Sequence, residues 1–346
     1  MLKIGFVGVG SMGQCAHLSN YASLPDCEIV AIAEPRPELA KRVAARYAIP
    51  NVYPNGEAML TGEKLDGVVA SQPFERHGSI VLPLYRFGVP LLTEKPLASS
   101  VGVAERMLDA LATGGSWHMV GYHKRSDPAT IRANAEIERL KTSGELGRMT
   151  YIRVLMPAGD WIASGFNHLI RTDEPAPAIP TDPPDPGMDQ ATFHRYIAFV
   201  NYYIHQVNLI RHLLGEPYSV AYVDPSGLLL VGRSSGGIPC TLEMSPYSTT
   251  LDWQESVLVA FELGYVKLEL PAPLASNRPG RVEILRDPGK GAEPVTLVPQ
   301  LRWVHAMRHQ AINFLAAIRG DAPPPCEAAE ALQDLKLARD AILWKP

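Results

Sequence analysis

Three sets of residues in this chain of 346 have the types and spacing to do chemistry. The first is GVGSMG, which places Gly8, Gly10 and Gly13 in the pattern G-x-G-x-x-G. Gly8 suits a tight turn, Gly10 lets backbone approach a pyrophosphate, and Gly13 lets the next helix lie close on a sheet; Ser11 and Met12 open that helix, whose positive end attracts an anion. Glu34 follows 21 residues after Gly13, where a carboxylate grips the ribose hydroxyls of a bound dinucleotide. These residues predict NAD as cofactor. Arg36 could receive a 2′-phosphate, which leaves NADP open. The second set is Glu94-Lys95-Pro96, an ammonium at the end of an apolar strand, placed to polarise a hydroxyl or exchange a proton with it. The third lies in FVNYYIHQVNLIRHLLGEP, residues 199–217. Wound as a helix, this stretch is apolar on nearly every side, which predicts burial. Yet His194, Asn201, His205, Asn208 and His212 fall within about 60° of one another. Buried polar groups need partners, so this stripe predicts one face turned to a site. Its histidines do not make a metal centre, because His194, His205 and His212 are spread over roughly 16 and 10 Å of helix.

The elements that must position these groups come in two blocks. Through residue 123, apolar strands alternate with helices: KIGFVGVG, EIVAIAEP, LDGVVASQP, VPLLTEKP and WHMVGYHKR read as strands. Alternation of this kind predicts a parallel, doubly wound sheet. Pro83 must kink or break the helix expected over residues 74–88. From residue 124 the pattern changes. A helix at 128–142 leads to a strand in GRMTYIRVLMP, then to TDEPAPAIPTDPPDPG, too rich in proline for regular structure. After the polar-striped helix come strands near 219–224, 227–233, 239–246, 252–262, 264–270 and 281–286, without helices between them. That succession favours an antiparallel or mixed sheet. Helices near 302–319 and 327–344 close the sequence. The expected division is therefore 1–123, a dinucleotide-binding domain, and 124–346, an α/β domain for substrate and oligomerisation, with the last helix packed back on the first domain.

The string GVVASQPFERHGSIVLPLYRFGVPLLTEKP, the segment VGYHKRSDP and the helix end HQVNLIRHLLGEP together resemble the Gfo/Idh/MocA family of glucose–fructose oxidoreductase, inositol dehydrogenase and rhizopine catabolism proteins. The resemblance covers essentially the whole chain. It implies an N-terminal Rossmann domain followed by an α/β domain with a large open, mostly antiparallel sheet. It implies hydride transfer between nicotinamide and a hydroxyl or keto carbon of a sugar, sugar derivative or cyclitol. Ser71, Gln72, Pro73, His77, Glu94 and Lys95 become cofactor contacts, and Lys95 also a catalytic group beside the reacting hydroxyl. The family's acid–base histidine, four residues after an aspartate, matches His205. The aspartate position is Asn201, a departure, and position 208 is likewise Asn208. Since an amide cannot take a proton, the resemblance leaves proton transfer to His205 and an orienting role to Asn201. Tyr122, His123, Arg125 and Tyr202 are expected to approach the substrate. Around the proline-rich stretch, Trp161 offers a flat face for a sugar ring, and Asp160, His168 and Arg171 offer partners for its hydroxyls.

Bulk composition narrows the rest. With 46% hydrophobic and 20% charged residues and a net charge of −4, the chain reads as globular, without attraction to nucleic acid or anionic membranes. Four scattered cysteines, with no C-x-x-C pair, fit a reducing compartment, and no signal peptide is read at the N-terminus. The expected setting is the cytoplasm. An open sheet whose outer face needs covering predicts a homodimer or homotetramer. Two other functions fit the same residues: a glycosidase or lyase that oxidises a sugar only transiently, and a non-catalytic dinucleotide-sensing regulator.

Overall fold

The computed structural model describes every residue except Ala176, Pro288, Lys290 and Pro346. Six strands form the first sheet: β1 Leu2–Val7, β2 Cys27–Ala33, β3 Asn51–Tyr53, β4 Gly67–Ala70, β5 Leu91–Glu94 and β6 His118–Gly121. Their order is β3-β2-β1-β4-β5-β6 and every pairing is parallel. Order reverses beside β1, which opens a crevice beyond the carboxyl ends of β1 and β4. The segment around Pro83 is broken into Phe74–Arg76, His77–Ile80 and Leu82–Phe87, as a ring without an N–H requires.

Eight strands form the second sheet: β7 Met149–Ala158, β8 Tyr218–Val223, β9 Leu229–Ser234, β10 Pro239–Ser248, β11 Glu255–Phe261, β12 Gly264–Leu270, β13 Arg281–Arg286 and β14 Val295–Leu297. Their order is β14-β13-β12-β11-β7-β10-β9-β8. Only the β10–β7 pair is parallel. One face is apolar: Ile152, Val154, Leu242, Val257, Val259, Val266, Leu268, Val282 and Ile284 are all buried. The helix Pro128–Ser143 packs against β12 and β13 on this sheet. Asp127 caps its start by accepting from Ala129 N (2.8 Å), and Gly144, at φ 65°, ends it. The other face is polar, with Arg153–Glu243, Lys267–Glu269 and Arg281–Glu283 pairs across it.

The chain divides into two compact units that interleave along the sequence. The first comprises Met1–Tyr122, Ser164–Asn201 and Gln310–Lys336; the second, His123–Ala163, Tyr202–His309 and Leu337–Pro346. In the first, Ile4, Phe6, Ile32 and Val69 from the strands share a core with Ala311, Phe314 and Leu315 of the helix Ala306–Arg319. The long helix Gln190–Leu214 starts earlier than its apolar run suggests, because Asp189 accepts from Thr192 N at 2.7 Å. Gly215, at φ 68°, stops it.

The second unit holds a carboxylate whose charge stabilises the fold. Glu136 has a side chain only 2% exposed and contacts Arg132, Arg139 and Arg286 at 3.0, 2.8 and 2.5 Å. Burial opposes its ionisation, but the three guanidinium groups win and bring its carboxyl down to about 2. A depressed carboxyl stabilises above its ordinary value of 4.5 and loses that contribution as pH falls toward the folded value. Glu136→Gln should therefore cost about 3 kcal/mol at neutral pH. The gap from wild type should narrow as pH drops from about 4.5 to 2. Denaturant melts at several pH values test this; a gap independent of pH would remove Glu136 from acid stability.

Candidate active site

At the end of β1 the glycine turn is built by contact. Gly8 has φ 82°, donates to Ala33 O at 2.8 Å, and would bring a Cβ within 2.7 Å of Ser71 O. A Cβ on Gly13 would lie 2.5 Å from Gly8 O, whereas one on Gly10 would meet nothing within 4 Å. Space is therefore left open where the motif needs it, and backbone closes up where the motif demands glycine. These residues fit a pyrophosphate. Ser11 is exposed and Met12 half-buried at the helix start; Ser71 and Gln72 are half-buried and Pro73 exposed after β4.

Glu34 is tied more fully than the sequence suggests. Its Oε1 accepts from Arg36 Nε (2.7 Å) and Arg36 N (3.2 Å), and its Oε2 from Arg36 Nη2 (3.0 Å) and Val9 N (3.2 Å). Its side chain is 2% exposed. Arg36, whose guanidinium is held charged chiefly by this contact, covers it.

Two residues expected against the cofactor have structural partners within the chain. His77 is fully buried and its Nδ1 lies 2.9 Å from Leu97 O, which makes that nitrogen the donor. It braces the segment following Pro96. Glu94 is buried, 2.7 Å from His17 Nε2. Burial opposes its charge, but His17 and Lys95 outweigh burial and hold the carboxyl below its ordinary value. Lys95, next along, is partly exposed and its Nζ donates to the backbone carbonyl of Asn201 at 2.5 Å. Asn201 itself is exposed.

The same helix carries the rest of the stripe, and the structure sorts it. His194 is exposed and His212 half-buried, so neither is part of a buried polar face. His205 is 9% exposed and packs edge-on to His123, centroids 4.5 Å apart at 77°. Asn208 Oδ1 accepts from Arg125 Nε at 2.7 Å, and both residues are buried. Arg125, expected at the substrate, is thus committed to the helix. Tyr122 is buried, while Tyr202 is half-buried and stands edge-on to Tyr203.

A carboxylate missed in the sequence is Glu255, at the start of β11. It is buried and bonded to Lys124 Nζ, Gln206 Nε2 (2.8 Å) and Trp253 Nε1 (3.1 Å). Gln206, inside the striped helix, was the one available signal. A recess of about 270 Å³ in this unit is lined by His123, Lys124, Asp127, Arg278 and His305 among others. Burial pushes the Asp127 carboxyl up to about 6, against the pull of its Ala129 and Gly280 N–H partners.

The four residues expected around a sugar do not form one cluster. Asp160 and Trp161 belong to the second unit: Asp160 Oδ1 accepts from Ile162 N, and Trp161 O from Leu274 N. His168 and Arg171 belong to the first, where their carbonyls accept from Arg46 and Arg42. There the segment is held further by reciprocal bonds between Gln14 and Ile170, and by Asp182, which accepts from Gly78 N at 2.8 Å. The proline-rich stretch is thus fastened across the glycine-motif helix, the helix Pro37–Tyr47 and the turns after β4. Among the described residues, no three His, Cys, Asp or Glu side chains are grouped to hold a metal, and no helix is long and apolar enough to cross a membrane.

The parallel sheet, glycine turn and acid at β2 define a dinucleotide-binding α/β protein of the Rossmann type that also holds a mixed-sheet unit. Residues 2–122 match the Gfo/Idh/MocA family, described as "Oxidoreductase family, NAD-binding Rossmann fold". The inositol 2-dehydrogenase of Acidothermus cellulolyticus is 29% identical over 147 residues, 42% of this chain and 42% of that one. The chain thus spans less than half the length of this relative. Inositol 2-dehydrogenase 4 of Saccharopolyspora erythraea is 25% identical over 354 residues, 96% of this chain and 93% of its own. An Agrobacterium radiobacter oxidoreductase, solved in complex with NAD⁺, L-tartaric acid and magnesium, shares the fold at TM-score 0.70 and 15% identity, covering 98% and 95% of the two chains.

Proposed function

We propose that this chain is an NAD-dependent dehydrogenase acting on a hydroxyl of a sugar, sugar derivative or cyclitol. One observation carries the reading: the Lys95 ammonium reaches the Asn201 carbonyl on the helix that presents His205 one turn later. When bound, the nicotinamide supplies the hydride acceptor. Lys95 lends a positive charge to the hydroxyl oxygen as its proton leaves, which stabilises the developing alkoxide. His205 takes that proton, since imidazole titrates near neutrality and the Asn201 amide does not. Asn201 orients the hydroxyl. The named inositol dehydrogenase relatives support a cyclitol or sugar as the substrate class. We also assign residues 1–123 to cofactor and 124–346 to substrate, apart from the segment around Glu174 that groups with the first unit, and place the chain in the cytoplasm. A homodimer or homotetramer built on the outer sheet face would have a polar interface, given the ion pairs across it.

A screen of inositols, sugars and 3-keto sugars with NAD and NADP, read by reduced-cofactor absorbance, tests the reading. NADH accumulation with a cyclic polyol is the expected result. Substrate cleavage without net NADH would mark transient oxidation instead. Tight dinucleotide binding with no turnover on any of them would mark a regulator.

A further inference from the structure

We propose that Glu174 is a specificity residue of the dinucleotide site: its carboxylate fills, from within the chain, the anion position that a 2′-phosphate would take, and so turns NADP away. This rests on the dinucleotide reading above and names the feature that selects between its two cofactors.

The helix Pro37–Tyr47 begins three residues after Glu34. In a fold of this type the ribose 2′-position faces the acid at the end of β2, and a 2′-phosphate finds its cation just beyond it. Here that place is taken. Glu174 accepts from Glu38 N at 2.9 Å and Leu39 N at 2.8 Å, the first-turn N–H groups that would otherwise serve an anion. The Thr172 hydroxyl adds a third bond at 3.0 Å. Burial opposes the Glu174 charge, but the two N–H groups, Thr172 and Arg36 outweigh it and hold the carboxyl below its ordinary value. The residue is fixed in place by its neighbours in sequence, because Ile170 and Arg171 are fastened to Gln14 and Arg42.

The surrounding charge agrees. Arg36 is the cation that could bind a 2′-phosphate, but its guanidinium is closed on Glu34. All four acceptor directions of that carboxylate are used. With Glu34 and Arg36 cancelling, Glu174 and the first-turn Glu38 leave this helix end negative, and Arg42 is the further cation. A phosphate dianion must therefore displace Glu174 or sit beside it.

Calorimetric titration of the whole protein with 5′-AMP, 2′,5′-ADP, NADH and NADPH tests this without reference to turnover. The pair 5′-AMP and 2′,5′-ADP isolates the 2′-phosphate. Wild type should bind 5′-AMP and NADH more tightly than their phosphorylated counterparts. Glu174→Gln, nearly isosteric and uncharged, should tighten 2′,5′-ADP and NADPH about tenfold while leaving 5′-AMP and NADH within about twofold. Glu174→Ser, which also opens room for the phosphate, should shift the same way and serves if the glutamine variant does not fold. Variants that bind 5′-AMP normally but keep the wild-type discrimination overturn the role of Glu174 and leave the dinucleotide reading intact. Wild-type protein that binds neither 5′-AMP nor NADH overturns both.

Discussion

Lys95→Met is expected to reduce kcat by at least about 10³-fold while dinucleotide affinity stays within a few-fold of wild type. The asymmetry follows from position. Cofactor contacts are expected from the glycine turn at Gly8 and Gly10 and from the β4 end, all of which lie elsewhere in the first unit. The lysine ammonium donates to the Asn201 carbonyl. Methionine matches the length of the stem and removes only the ammonium. Titration of the variant with NADH, beside steady-state kinetics on an accepted substrate, separates the two effects. A folded Lys95→Met protein with near-normal kcat would take Lys95 out of the chemistry. Loss of dinucleotide binding in step with kcat would make it a cofactor ligand instead.

His205→Ala is expected to lose about 10² to 10⁴ in rate, the usual contribution of a positioned acid–base group. The pH profile of kcat/KM should lose one limb with it. Asn201→Ala should cost less and keep that limb, because an amide has no proton to transfer near neutrality. The histidine has a structural alternative that the experiment must answer: it packs edge-on to His123, and a core role would show as lost stability with an unchanged pH profile. Asn201→Asp introduces the carboxylate that the family resemblance implies at this position, so a shifted pH optimum is the expected sign that position 201 faces the reacting hydroxyl. An unchanged optimum would place it outside the site.

Much of this was legible in the sequence, for a physical reason that also marks where legibility stops. Strands β1, β2, β4, β5 and β6 are apolar runs bounded by turns, and the end of the long helix is spelled by the glycine at 215; each is a local signal. Strands β3 and β14 have three residues each, too few for any periodicity to register. His77 and Glu94 were placed against the cofactor by the family resemblance; their partners, Leu97 and His17, become neighbours only in the folded chain. The proline-rich segment hid its role for a different reason. The carbonyls of His168, Ile170 and Arg171, just before it, take part in fastening it, and a backbone acceptor leaves no mark on residue type. Glu174, an acid among prolines, carries no local mark of the Glu38 and Leu39 N–H groups it accepts from. Glu255 was overlooked because Lys124 and Gln206 lie far from it in sequence, although an uncharged amide beside His205 on a buried helix was a hint that a polar partner waited there.

The interleaving of the two units bears on how the protein is made. Synthesis proceeds from the amino terminus, and domains commonly fold as they emerge. Here the nucleotide-binding sheet is complete once residue 121 has been added, yet the core that Ile4, Phe6 and Ile32 share also takes in Ala311, Phe314 and Leu315. The chain through about residue 315 has to leave the ribosome before that core is closed. Throughout the interval the nascent chain carries an open apolar surface of the kind that chaperones bind, and a stalled or truncated product would present it permanently.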